Sequence, residues 1–232
     1  MRFELPLIRA TLERRYKRFL ADMRLASGDR ITVHCPNPGS MLGLAEPGGR
    51  VLLSDAGARS GRRLRFTWEL VRVGGAWVCV NTLRANHVAR EALSAGGIEP
   101  LASYRAVRSE VRVAPHSRLD FALGDAGAEC YVEVKSVTLR SGSGAFFPDA
   151  VTERGQRHLL ELARLARQGR RAVLLYLLMR NDCDSVSPAD AIDPLYARTL
   201  RRVVARGVEA LAYAVRVSPR GLELGRRLPV RL

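Results

Sequence analysis

Lysine is nearly absent from this basic chain of 232 residues. Only Lys17 and Lys135 are lysines, and all the other basic residues among the 38 are arginines. This shortage excludes a lysine-rich amphipathic anchor of the kind that binds membrane surfaces. Arginine pairs bidentately with phosphate, so a net charge of +15 and a pI near 10.9 indicate an anionic partner, most economically a nucleic acid. An arginine-rich genome would also raise the pI, and composition alone leaves that alternative open.

Cysteine pairs and long apolar runs are missing as well. The four cysteines are far apart and include no Cys-x-x-Cys pair, which excludes a zinc cluster or a disulfide framework and fits a reducing cytoplasm. The longest apolar run, Ala172–Met179, is far too short to cross a bilayer. No signal peptide or lipidation motif is visible. We therefore expect a cytoplasmic protein with no membrane attachment.

Residues 1–81 have the pattern of a small β-domain. Short apolar segments are separated by turns rich in Gly, Pro and Asn, such as Pro36-Asn37-Pro38-Gly39. The predicted strands are Arg14–Leu25, Ile31–Cys35, Arg50–Ser54, Leu64–Val73 and Trp77–Val80. Five short strands with little helical periodicity predict an OB-fold-like barrel that binds nucleic acid.

Residues 82–232 change to an α/β pattern. A first helix, capped by Asn81 or Thr82, is predicted to run to about Ala95, and strands and helices then alternate around a mixed sheet. The residues Gly124-Asp125-Ala126-Gly127 predict a hairpin turn. The predicted strands are Val107–Val113, Leu119–Leu123, Cys130–Val137, Ala172–Met179 and Val208–Val217, and the later helices are Thr152–Gln168 and Pro194–Arg206.

The strand Cys130–Val137 carries the most informative polar residues. Its period of two places Glu133 and Lys135 on one face, away from the apolar side chains. A hairpin would bring Asp120 of the preceding strand close to Glu133. In that preceding strand, alternation separates Asp120 from an apolar face formed by Leu119, Phe121 and Leu123.

Two carboxylates side by side predict a metal site. They raise each other's pKa unless a cation lies between them. Asp120 and Glu133 therefore predict an oxygen-ligated Mg²⁺, or Mn²⁺, for phosphodiester hydrolysis, and Lys135 would orient the attacking water or stabilise the transition state. Glu133 and Lys135 taken alone also fit a half-buried strand whose alternate residues face water, which is a structural alternative.

Two helices offer further candidates. Glu91 flanks the apolar arc of the first helix, where it can supply a third metal-binding carboxylate or pair with His87 on a solvated face. In the second helix Gln156 and His158 fall on the otherwise apolar face, where polar groups need partners. Arg154 lies near the helix start, where free N–H groups favour an anion. Arg154 and His158 are therefore expected to contact substrate, although a histidine in such a position also fits a satisfied core residue.

The first domain holds the predicted nucleic-acid contacts. Basic and aromatic side chains together on a barrel track phosphates and stack the bases of a strand. The turn His34–Met41 adds Asn37 and Ser40, which can approach a phosphate backbone or merely turn a corner. The basic and aromatic candidates are Arg14, Arg15, Tyr16, Lys17 and Arg18.

Six runs, in matching order over nearly the whole chain, resemble the sugar fermentation stimulation protein A family. The resemblance implies an N-terminal OB-fold, a C-terminal PD-(D/E)XK restriction-endonuclease-like α/β domain, and DNA binding with a role in regulating sugar-utilisation genes. It places the nuclease pattern on Asp120, Glu133 and Lys135, with Glu91 as the helix carboxylate and Glu153–His158 as the second-helix contribution. The six runs are Arg14–Phe19, His34–Met41, Asn81–Leu83, Ser117–Phe121, Tyr131–Lys135 and Phe147–Gly155.

The chain departs from the family pattern at two positions. Leu119 stands where the motif has its namesake proline, and the Pro148-Asp149 dipeptide lies too late in the chain to replace it. Pro38 stands where the family usually has threonine, which removes a hydroxyl and stiffens the loop.

The sequence therefore predicts a cytoplasmic DNA-binding protein with a Mg²⁺-dependent nuclease-like site. A non-catalytic DNA-binding regulator with a vestigial nuclease fold is the alternative, and an RNA-processing or nucleotide-directed phosphodiesterase is a third reading. Because no helix-turn-helix is visible, we expect weak sequence preference.

Overall fold

The computed structural model describes residues 1–57, 61, 63–115, 117–124 and 129–232. The predicted turn Gly124-Asp125-Ala126-Gly127 lies outside the described residues beyond Gly124. In the part of the chain that is described, no helix is long and apolar enough to cross a membrane.

The first domain is a closed barrel. Strand β1 pairs with both β2 and β4, β2 pairs with β3, and β5 closes the ring by pairing with β3 and β4. A sixth strand, β6, extends β5 as a hairpin. The predicted OB fold is therefore confirmed. The strands are β1 (Ile8–Tyr16), β2 (Leu20–Leu25), β3 (Arg30–His34), β4 (Arg50–Asp55), β5 (Phe66–Val73) and β6 (Ala76–Cys79).

One predicted strand of the barrel is wrong. The segment Arg14–Leu25 is the end of β1, a turn and all of β2, so the barrel begins earlier in the chain than the pattern indicated. The turn contains no Gly or Pro. Lys17 and Arg18 instead adopt positive φ angles of 47° and 59°, in the left-handed region that residues other than glycine seldom occupy.

The second domain is built around a six-stranded mixed sheet in the order β15-β14-β12-β9-β8-β7. A small sheet of β10, β11 and β13 lies beside it. The elements are α1 (Leu83–Ser94), β7 (Val107–Ala114), β8 (Ser117–Leu123), β9 (Cys130–Val137), β10 (Leu139–Ser141), β11 (Gly144–Phe147), α2 (Glu153–Arg167), β12 (Arg171–Leu178), β13 (Ser185–Pro188), α3 (Pro194–Val204), β14 (Glu209–Ser218) and β15 (Gly221–Leu228).

Helices cover both faces of the large sheet. Apolar side chains of α1 pack with Val132 and Val134 of β9 on one face. On the other face, apolar side chains of α2 and α3 pack with Tyr176 of β12. The strand β12 has parallel neighbours on both sides and is almost entirely buried.

The start of α3 also fixes the start of α2. Asp193 caps α3 by accepting a hydrogen bond from the Tyr196 N–H at 2.8 Å, and it accepts a second from the Thr152 N–H at 2.9 Å. Gln156 of α2 donates to the same carboxylate at 3.0 Å. The orientation of α2, on which the second half of the site depends, is therefore locked by a buried side chain of its neighbour.

A buried ion pair joins the two domains. Glu69 of β5 is completely buried, and both of its carboxylate oxygens accept hydrogen bonds from Arg84 of α1, at 2.7 and 2.9 Å. Asn81 donates to Glu69 at 2.9 Å and Ser54 at 2.7 Å. Because this carboxylate has four donors, it fixes the first helix of the second domain against the wall of the barrel.

Candidate active site

The central strand β9 presents Glu133 and Lys135 as a buried ion pair. The Lys135 Nζ atom lies 2.6 Å from Glu133 Oε1, and only 11% of the lysine side chain is exposed. Both residues lie on the face of β9 that is opposite to Val132 and Val134, as the alternation predicts. Burial alone would raise the pKa of Glu133, but the charge of Lys135 and a hydrogen bond from His158 hold that pKa below its ordinary value.

Asp120 reaches the same place because β8 separates from β9. The pairing of the two strands stops at Phe121 and Val132, one residue before Asp120. Beyond that point the Asp120 carboxylate accepts a hydrogen bond from the next backbone donor of β9, the Val134 N–H, at 2.8 Å. The separation also corrects one expectation: Leu119 does not share a face with Phe121 but packs with the α2 side of the sheet.

Asp120 is a carboxyl in an unfavourable place for a negative charge. Burial, followed by the charge of Glu133, raises the pKa of Asp120 to about 6. Asn86 of α1 donates to its other oxygen at 2.7 Å. Asp120 and Glu133 line the same cleft, and the negative charge of each opposes ionisation of the other.

The residues present fit an oxygen-ligated divalent cation. Glu133 Oε2 is buried and has no hydrogen-bond partner in the described part of the chain. The buried hydroxyl of Ser136, on the same strand, likewise has no partner among the described residues. Within the described ranges, no group of three or more His, Cys, Asp and Glu side chains is arranged to hold a metal ion. A pair of carboxylates with water completing the shell is a ligand set that suits Mg²⁺.

The helix α2 contributes His158 and Arg154. His158 Nδ1 contacts Glu133 Oε1, and Arg154 Nε donates to His158 Nε2 at 3.5 Å. Because arginine is always a donor, Nε2 accepts and the proton lies on Nδ1, from which it is donated to Glu133. His158 is therefore the partner that holds one oxygen of Glu133, and Arg154 holds the histidine.

Two predicted site residues lie elsewhere. Glu91 is 63% exposed and pairs with the amino group of Met1 at 2.6 Å. It lies five residues, or 140° of helix rotation, from Asn86, so it points away from Asp120. Gln156 is turned toward Asp193 and supports the helix starts. Asn86, which had not been selected from the sequence, is the residue of α1 that contacts the site.

The barrel forms one wall of the cleft above these residues. The cleft has a volume of about 740 Å³ and is lined by Arg18, Asn37 and Gly39 from the barrel together with Asp120, Glu133 and Lys135. Asp149 links the two walls: it accepts a hydrogen bond from the Met41 N–H at 2.9 Å, and its carbonyl accepts one from the Ser40 hydroxyl. Asn37 is buried and donates to the Val80 carbonyl at 3.0 Å, so its side chain shapes the loop.

Most of the predicted basic run of the barrel has structural partners. Arg14 pairs with Asp22 at 2.8 Å, and the Tyr16 hydroxyl donates to the same carboxylate at 3.0 Å. Arg15 donates to the carbonyls of Asn37 and Gly39 at 2.8 and 2.9 Å. Lys17 and Arg18 remain exposed at the turn, and of these two Arg18 lines the cleft.

A second opening, between the sheet and α2, is rich in arginine. This arginine groove, of about 810 Å³, is lined by Arg112 and Arg118 of the sheet and by Arg154, Arg157 and His158 of α2. Glu110 and Glu161 also line it, and Glu161 pairs with Arg164 at 2.9 Å. Arg154 and His158 line the groove, and Arg154 also lines the cleft, so the start of α2 contributes to both openings.

The fold and the cluster define a class of two-domain protein in which an OB barrel is joined to a restriction-endonuclease-like domain. Two family models match the chain: the SfsA N-terminal OB domain on residues 14–80, and the sugar fermentation stimulation protein RE domain on residues 83–221. The chain belongs to the sugar fermentation stimulation protein family.

Relatives match over the full length. The chain is 53% identical to the sugar fermentation stimulation protein homolog of Pelobacter propionicus, with 97% of each chain covered. It is 49% identical to the homolog of Geotalea uraniireducens, with 100% of each covered. The solved structure of Pyrococcus furiosus SfsA in complex with Ca²⁺ is 27% identical, with a TM-score of 0.89 over 100% of this chain and 98% of that one.

Proposed function

We propose that this protein binds DNA and cleaves its phosphodiester bonds at a divalent-cation site formed by Asp120 and Glu133. The observation that carries the proposal is the buried Glu133 Oε2 atom, which lacks a partner among the described residues. It lies beside a second carboxyl, Asp120, whose pKa is raised to about 6 by burial and by Glu133. A hard cation removes both defects at once, because it supplies a ligand for the free oxygen and neutralises the repulsion.

The roles of the protein groups follow from their positions. Bound here, Mg²⁺ or Mn²⁺ would supply Lewis-acid stabilisation of the phosphate and a lower pKa for a water nucleophile. Lys135 would donate to the oxygen on which charge develops. His158 and Arg154 would keep Glu133 oriented. The P. furiosus protein was solved in complex with Ca²⁺, which supports an oxygen-ligated cation here, since Ca²⁺ and Mg²⁺ both prefer oxygen ligands.

DNA is the proposed partner because of charge and access. The net charge of +15 favours a polyanion, and the arginine groove is lined by His158, which contacts Glu133. The described helices α1, α2 and α3 are separated by strands, so none of them forms a helix-turn-helix pair, and weak sequence preference is expected. The four free cysteines fit the cytoplasm as the compartment.

The test measures whether the full chain cleaves DNA or RNA, each offered in single-stranded and double-stranded form, in the presence of Mg²⁺, Mn²⁺ or EDTA. Glu133→Gln and Lys135→Met are expected to abolish cleavage and to retain binding. Glu223→Gln is the matched control, because Glu223 is an exposed carboxylate of β15 that pairs with the exposed Arg216. Absence of cleavage of every substrate by the wild-type protein with either metal would refute the enzymatic proposal.

One observation favours a second function, a DNA-binding regulator of sugar-utilisation genes without turnover. Lys135 and His158 both contact Glu133 Oε1, so this oxygen already has partners inside the protein, as in a structural ion-pair network. Binding of DNA with a steep salt dependence, but without cleavage, would support this function.

A further inference from the structure

A pocket on the barrel is lined by four arginines and one tryptophan. It has a volume of about 510 Å³, and its charged and aromatic residues are Arg9, Arg24, Arg50, Arg72 and Trp77. Arg9 stands at the opposite end of β1 from the turn that carries Arg18. Tyr16 lies seven positions after Arg9 along the strand, roughly 23 Å at the rise of a β-strand. This barrel pocket is therefore distinct from the cleft that holds Glu133.

All the charged side chains that line the barrel pocket in the described part of the chain are positive. No carboxylate lines it in the described part of the chain. Arg24 pairs with Glu13 outside the pocket, whereas Arg9, Arg50 and Arg72 form no ion pair with any described residue. Three unpaired cations around one concavity repel one another until an anion binds between them. Arginine is the side chain that best matches a phosphate in such a position.

The floor and one wall of the barrel pocket suit a planar ring. The guanidinium of Arg72 lies 5.2 Å from the centre of the Trp77 ring, and this contact holds the guanidinium against a fixed support. Trp77 is itself half-buried and packs against the apolar cluster that the barrel and the second domain share. Ala10, Val51 and Leu52 are buried and supply an apolar floor. A flat heterocycle can stack on a guanidinium plane that is supported in this way.

We infer that the barrel pocket binds a nucleotide unit, that is, a phosphate ester attached to a planar heterocycle. The phosphate is held by Arg9, Arg24 and Arg50, and the ring stacks on Arg72 above the apolar floor. The unit is either a free mononucleotide or one nucleotide of a longer strand. The site lies apart from the metal cluster, so it does not depend on phosphodiester cleavage.

The two tryptophans of the chain give this site its own signal. Trp68 is completely buried in the barrel core, whereas Trp77 lines the barrel pocket. Tryptophan emission of the full chain, excited at a wavelength that nucleotides do not absorb, is titrated with adenosine monophosphate and with a short oligothymidylate. Inorganic phosphate and adenosine are the anion-only and ring-only probes. Trp77→Phe identifies the source of the signal.

The expected result is saturable quenching by the mononucleotide, by the oligonucleotide, or by both, with at least tenfold weaker binding in Arg72→Gln and in Arg50→Gln. Quenching by the mononucleotide identifies a free nucleotide as a ligand, and quenching by the oligonucleotide alone identifies a nucleotide within a strand. Arg216→Gln, an exposed arginine of β14 paired with Glu223, is the matched control and leaves the affinity unchanged. Circular dichroism melting verifies that each variant is folded.

Two outcomes would overturn the inference. One is equal quenching by inorganic phosphate and by nucleotides, which would mean that the barrel pocket recognises only an anion. The other is unchanged affinity in both arginine variants. Glu133→Gln separates this site from the proposed function: cleavage is lost in that variant while the Trp77 signal persists, so either proposal can fail without the other.

Discussion

Replacing Glu69 by Gln tests whether the buried ion pair between β5 and α1 stabilises the two-domain structure. The substitution keeps the size of the side chain but removes its charge and turns one acceptor oxygen into a donor. That donor then faces Arg84 or Asn81, both of which are donors to Glu69 in the native protein. The Glu69 hydrogen bond raises the pKa of Arg84, so the native pair favours the charged guanidinium.

The expected loss follows from burial. Breaking a buried pair by removing one partner costs about 3–5 kcal/mol, because the other charge remains buried without compensation. Arg84 keeps 24% of its side chain exposed and retains some hydration, which places the expected loss in the free energy of unfolding at the lower end, about 3 kcal/mol. A loss of that size lowers the melting temperature of a chain of this length by roughly 6–12 °C.

Asp190→Asn is the matched control for Glu69→Gln. Asp190 also pairs bidentately with an arginine, Arg201, at 2.6 and 2.8 Å, but both side chains are exposed. An exposed pair contributes less than about 1 kcal/mol. Urea unfolding of both variants, followed by circular dichroism, gives the two losses side by side. Losses that agree within about 1 kcal/mol would refute the reasoning, because burial would then make no difference.

Three further predictions concern the site and its supports. Mn²⁺ is expected to raise the melting temperature of the wild-type protein but not that of Asp120→Asn, because binding at a hundredfold excess over Kd adds about 2.7 kcal/mol to the free energy of unfolding. An equal rise in both proteins would place the cation elsewhere. Burial would raise the pKa of Asp193, but hydrogen bonds from the Thr152 and Tyr196 N–H groups lower it overall. Its stabilisation is therefore present above the unfolded pKa near 3.9 and is lost as the pH falls through the folded pKa. Asp193→Asn is expected to cost about 1 kcal/mol in the free energy of unfolding at pH 7, because its NH₂ group replaces one of the two acceptor oxygens, and less below about pH 4; a difference that does not depend on pH would contradict this assignment. Gly39→Ala places a Cβ atom in steric overlap with the Asp149 carboxylate, and in thermal unfolding it is expected to cost about 1–3 kcal/mol, with a smaller cost in an Asp149→Ala background; equal costs would show that the loop moves away freely.

The parts predicted correctly from the sequence are those set by local periodicity. The bounds of β9 agree at both ends with the predicted strand Cys130–Val137. Its alternation puts Glu133 and Lys135 on one face because a strand has a period of two in any surroundings. The short strands β10, β11 and β13 were missed, since segments of three or four residues show too little periodicity.

The position of Glu91, which is exposed and pairs with the Met1 amino group, shows where periodicity stops being sufficient. The apolar arc of α1 was predicted correctly, and it packs against the sheet. Asn86 and Glu91 flank that arc on opposite sides, and the pattern does not indicate which flank faces β8. That choice is made by the packing of the helix on the barrel, where Glu69 holds Arg84. A long-range contact of this kind leaves no trace in the spacing of residues along one helix.

The position of Lys135 accounts for a lysine in a chain that otherwise uses arginine. An ammonium group has three N–H donors, and one of them is directed at Glu133 at 2.6 Å. His158 Nδ1 lies 3.4 Å from Lys135 Nζ, but it is itself a donor, so it does not accept a hydrogen bond from the lysine. Two donors of Lys135 therefore remain for the cleft. An arginine here would bring five donors on a rigid planar group into a buried space, and any N–H group left without an acceptor there would oppose burial.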